Sequence, residues 1–167
     1  MFRYSTLAGG ENAPAPAASK LIEIVRHRPV WDEITIAKED AQFPRAGLSW
    51  HEGHGLVLHC FEDEMSWGFF LAEPGSLTSP EVDIVLGGQV QERWPRQLFV
   101  DPSLGAEALD YFLETGKQKE TLHWIRTDAV PRETMWEGRA GREAWEKGNH
   151  EDKGATGFAG ERGGPDS

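Results

Sequence analysis

The clearest periodicity in the chain lies at residues 102–115, where Leu104, Ala108, Leu109, Phe112 and Leu113 recur at helical spacing and predict one apolar helix face. Asp101 is placed to cap this helix and Pro102 suits its first position. Gly116 falls where a helix ends in the left-handed conformation, followed by Lys117 and Lys119 at the negative end of the dipole. Elsewhere the pattern alternates. Ile34 and Ile36 with their polar neighbours predict a first strand, and Leu48 and Trp50 begin a second. Residues 51–55 read as a glycine-bearing hairpin turn, and residues 56–61 return as a third strand. Glu62, Asp63 and Glu64 make an acidic turn before a fourth strand over residues 66–72. Strands at Val82 and at residues 89–94, around a Gly87-Gly88 turn, and at residues 121–125 complete a set of about seven. A shorter helix is expected from Ser19, as its cap, to about Arg28, with Leu21, Ile22, Ile24 and Val25 on its apolar side and Pro29 as its stop.

Hairpin-length links between the strands imply a mostly antiparallel sheet. Helices set outside a run of strands imply an α+β fold, with one N-terminal helix and one main helix packed on a sheet of six or seven strands. The expected organisation is a loose lead-in rich in Ala, Pro and Gly at residues 1–17, then a single domain at 18–131. A C-terminal helix at 132–149, weakened by Gly138 and Gly141, and a disordered tail at 150–167 follow.

Composition narrows the function. Of the 167 residues, 28 are Asp or Glu and 17 are Lys or Arg, a formal charge of −11. Residues 132–167 carry eight acids and six bases, a net of −2, so −9 falls on residues 1–131. That balance does not suit a nucleic-acid or anionic-membrane ligand, which needs basic surface, and it favours a basic protein partner. Cys60 is the one cysteine, so an internal disulfide is excluded and a reducing compartment is expected. With no apolar run long enough to span a bilayer and no apolar core to an N-terminal signal, the expected location is the cytoplasm.

Catalytic signals are sparse. His51, Glu52, His54, His59 and Cys60 form the one metal-like grouping, and a small metal-dependent hydrolase using His51, His54 and His59 is the enzymatic alternative. Against it, His51 and His54 flank a turn while His59 and Cys60 point to opposite faces of one strand. Cys60 in an apolar strand reads as an inert small hydrophobe. His27, between Arg26 and Arg28, reads as a solvated helix end. Ser66-Trp67-Gly68 lacks the leading glycine of a nucleophile elbow, and Gly87-Gly88 precedes a strand where a phosphate loop would precede a helix. No catalytic residue and no cofactor is therefore expected.

The stretch at residues 82–125 resembles the closing half of bacterial polymorphic-toxin immunity proteins of the immunity family numbered one. The resemblance is carried by Gly87, Gly88, Val100, Ala106, Ala108, Phe112, Leu113, Thr115, Gly116 and Trp124, about a quarter of the chain. It departs from that pattern at Lys119-Glu120, where such sequences often carry proline. These are core and turn residues. The resemblance implies a protein that binds a cognate toxin and occludes its active site. The acidic body fits a basic toxin, and the expected contact residues are Glu52 on the hairpin turn, Glu62, Asp63 and Glu64 on the acidic turn, and Trp67 as an aromatic anchor.

Overall fold

A computed structural model describes residues 1–130 apart from 11, 76, 78–80 and 87–89. The expected Gly87-Gly88 turn, the helix at 132–149 and the tail at 150–167 lie outside the described residues. The fold is α+β. Seven strands form one antiparallel sheet: β1 (Phe2–Thr6), β2 (Asn12–Pro14), β3 (Ile34–Lys38), β4 (Arg45–His51), β5 (Gly55–Phe61), β6 (Phe69–Leu71) and β9 (Trp124–Arg126). Their spatial order is β2-β1-β3-β4-β5-β6-β9. Among the described residues, the strands β7 (Glu81–Leu86) and β8 (Val90–Pro95) pair with each other, as a separate two-stranded sheet.

The two faces of the sheet follow from period-two alternation. On one face Ile34, Ile36, Leu48, Leu58 and Cys60 are buried beneath α1 (Ala18–Arg26) and α2 (Pro102–Thr115), which pack side by side. On the other, Val57, Phe70 and Ile125 are covered by Val82, Ile84 and Trp94 of the hairpin. Among the described residues, the hairpin covers the β5-β6-β9 half of this second face. Over β1, β3 and β4, Arg3, Ser5, Thr35 and Arg45 keep part of their surface in solvent.

α2 forms as its sequence dictates. Asp101 accepts a hydrogen bond from the Ser103 amide (2.8 Å), and Gly116 closes the helix at φ 73°. Gly105, in mid-helix, sits where α2 crosses β5: a methyl group there would lie 2.3 Å from Leu56 Cδ2. The Phe112 ring lies 5.2 Å from that of Phe2 in β1. Leu109 and Phe112 are fully buried, while Trp124 is half-buried against the same cluster and donates its indole N–H to the Lys119 carbonyl (3.0 Å).

Four expectations need correction. The segment 1–17 is not a loose lead-in: Phe2 and Tyr4 are buried, and β1 lies inside the sheet between β2 and β3. Five alternating residues were enough once β3 supplied a pairing edge. Ser19 does not cap α1, which begins one residue earlier; the Ala18 amide is instead satisfied by the Asp110 carboxylate of α2 (3.2 Å), a cap from across the helix pair. The fourth strand is confined to Phe69–Leu71, so Trp67 precedes it. The last strand starts at Trp124, because Thr121 and Leu122 are used in the turn that leaves α2.

Candidate partner-binding surface

The acidic turn is built around Asp63. Its carboxylate accepts from the Met65 amide (2.7 Å), the Ser66 amide (2.7 Å) and the Ser66 hydroxyl (2.8 Å). The Ser66 hydroxyl and then the two amides hold the Asp63 carboxyl below its ordinary range, so it stays charged. Asp63 thus shapes the turn, whereas Glu62 and Glu64 are exposed beside it. Met65, at 55% exposure, protrudes from the same turn, a large apolar side chain among acids. Trp67 follows, half-buried, with the Arg126 guanidinium over its ring at 5.2 Å. Arg126 is itself held by Asp128 at 2.7 and 2.6 Å. The sequence offered Met65, as an apolar residue in an acidic turn; Arg126 on Trp67 arises from long-range pairing and had no local signal.

Glu52 does not join this surface. It lies in the turn before β5, whereas Glu62, Asp63 and Glu64 follow the strand's end. Seven residues of extended chain separate the two turns by about 20 Å. Glu52 instead accepts from the Trp50 indole (3.0 Å) at the rim of a groove between α1 and α2. The groove encloses about 720 Å³ over Ile22, Trp50 and Ala106, with Glu23 and Arg26 on its rim. Arg26 lies 4.7 Å over the Trp50 ring, so that indole face is already occupied.

The three histidines named for metal binding are not gathered. The rings of His51 and His54 both lean on Phe99, at 5.2 and 5.7 Å. His59 stands farther along β5, between Phe61 and Phe70, with Nε2 3.5 Å from Glu33 Oε1. Cys60 faces the opposite core, and burial pushes its thiol pKa far up. Among the described residues, no group of three or more His, Cys, Asp or Glu side chains is placed to hold a metal ion. His51 is buried and within 3.1 Å of the Ser49 hydroxyl. Burial and then the neighbouring His54 lower its pKa to about 4, so it is neutral at pH 7 and too weakly basic to activate a serine well.

Among the described residues no helix is long and apolar enough to cross a membrane. Compared with known proteins, the chain matches no family model and no curated protein.

Proposed function

We propose that this chain is an immunity protein of the cytoplasm that binds a basic, secreted toxin domain and neutralises it by occluding its active site. The observation that carries this reading is the turn at residues 62–65. It presents Glu62 and Glu64 beside an exposed Met65, in a shape fixed by the Asp63 hydrogen bonds. A rigid loop loses little entropy on binding, and an apolar tip ringed by acids suits a basic surface with an apolar hollow. Toxins that act on nucleic acids carry basic clefts, so an acidic inhibitor gains association rate by steering. The resemblance of residues 82–125 to the immunity family points the same way, and its residues Ala108, Phe112 and Gly116 serve as the core and cap of α2.

The test is protection. The toxin domain encoded beside this gene is expressed in a sensitive host with and without this chain. Rescue is expected, and it should weaken in Glu62→Lys/Glu64→Lys. Asp63 is left intact because its loss would unfold the turn. Failure to protect against any neighbouring toxin would sink the proposal.

A further inference from the structure

The β3-β4 side of the second sheet face holds a polar cleft of about 180 Å³, lined by Glu33, Thr35, Arg45, Ala46, Gly47 and His59. Its geometry follows from strand register. Arg45 pairs with Phe61 and Gly47 with His59, so Arg45 and His59 are diagonal neighbours on one face. Diagonal positions lie about 7–8 Å apart, and here the β4 residue directly opposite His59 is glycine. A Cβ at Gly47 would fall 2.3 Å from His59 Nε2 and 2.4 Å from Glu33 Oε1. The missing side chain therefore leaves the Glu33–His59 pair seated over bare backbone, with open volume beside it.

The guanidinium of Arg45 is held over two aromatic rings. It lies over the Phe61 ring at 4.7 Å and the Phe43 ring at 5.2 Å. Among the described residues Arg45 has no carboxylate within 4.0 Å and no hydrogen-bond acceptor. Stacking leaves the edge donors of an arginine unused, and those planar donors match a carboxylate in a two-point contact. Glu33, the carboxylate that shares the cleft, is already engaged with His59.

We propose that the cleft over Gly47 binds a small carboxylate. Arg45 grips the two oxygens and Thr35 supplies a hydroxyl donor from the neighbouring strand, while Gly47 lets the Glu33–His59 pair settle against the backbone and leaves the volume beside it open. The volume equals about six water molecules' share of the liquid, so a free acid of a few carbons or the carboxylate end of a peptide fits. The inference does not rest on toxin binding, although the site borders the turn at residues 62–65, since Arg45 lies over Phe61, the residue before Glu62.

Amide chemical shifts of the full chain, followed during titration, test it. Acetate and glycolate should shift the Thr35, Gly47 and His59 signals saturably, while acetamide at equal concentration should not. Arg45→Gln should abolish the response. Arg45→Lys, which keeps the charge but loses the fork, should weaken it by about tenfold or more. Thr35→Val, conservative in shape, gives a second reading that leaves Arg45 in place and should weaken binding without changing the other amide signals. A short peptide with a free C-terminus, compared with its amidated form, separates the two sources. Tighter binding of the peptide acid than of acetate assigns a chain terminus, binding no tighter than acetate assigns a free small acid, and equal binding of the peptide acid and its amidated form would overturn carboxylate recognition. Absence of a saturable shift with every carboxylate, an equal shift with acetamide, or an undiminished response in Arg45→Gln would each overturn the site.

Discussion

Phe112→Ala probes the tie between the main helix and the N-terminal strand. The Phe112 side chain is 2% exposed and its ring meets Phe2 of β1 at 5.2 Å. The end of α2 closes on the same neighbours, since a Cβ at Gly116 would contact Pro44 and Phe2 at 3.0 and 3.5 Å. Removing a fully buried phenyl ring costs about 3–5 kcal/mol in transfer and cavity terms. At about 3 °C per kcal/mol for a chain of this size, the melting temperature should fall by about 9–15 °C. Urea unfolding should show a lower midpoint at an unchanged slope, because the same surface is exposed on unfolding. Phe2→Ala alone should also destabilise. The double variant should lose less than the two single losses added, by about 0.5–1.5 kcal/mol for the ring pair. A loss below about 1 kcal/mol for Phe112→Ala would mean that α2 does not bury this face. Strict additivity would mean that the two rings do not meet.

Three further perturbations follow from the same structure. Asp32, 2% exposed, accepts from the Ala8 amide (2.9 Å) and from Arg28 Nε (2.7 Å), so Asp32→Ala should cost about 3 kcal/mol in denaturant unfolding by stranding both donors. Gly105→Ala would gain about 1 kcal/mol in an open helix, yet here the new methyl group meets a fully buried Leu56, so a net loss of about 1–2 kcal/mol is expected. His51 has its pKa lowered to about 4 in the fold, against about 6.5 unfolded. The unfolded chain therefore binds the extra proton between these values, and the stability His51 contributes is present above pH 6.5 and lost as pH falls towards 4. His51→Gln should flatten that part of the stability–pH curve, and an unchanged curve would exclude His51 as its source.

Some of this was legible in the sequence for identifiable reasons. α2 could be read because each signal was local: an Asp101 cap, a Pro102 start, one apolar face and a Gly116 stop. β1 was hidden because its alternation spans only five residues beside an Ala- and Pro-rich stretch, and its burial depends on pairing with β3. The cap of α1 was misassigned to Ser19 because its donor's partner, Asp110, lies 92 residues away. The alternation of Val82, Ile84 and Trp94 reports one buried face but cannot say whether the hairpin extends the sheet or lies across it. Of the expected contact residues, Glu62, Asp63, Glu64 and Trp67 share one end of the sheet. Glu52 was separable in principle, since turns at the two ends of one strand lie at opposite ends of a sheet. Arg45 gave no local signal, because only cross-strand pairing brings Phe61 to its side.

The most direct test of toxin binding through the turn at residues 62–65 is the association rate of the neighbouring toxin domain. It is measured at low and high ionic strength for the wild-type chain and for Glu62→Lys/Glu64→Lys. Charge steering predicts a wild-type rate that falls by about tenfold or more as salt rises, because screening shortens the reach of the field. The variant should associate more slowly at low salt and converge towards the wild-type rate at high salt, with an unchanged melting temperature. Rates that coincide for the two proteins at both ionic strengths would place the contact elsewhere, and no measurable association with the toxin domain would contradict the proposed function itself.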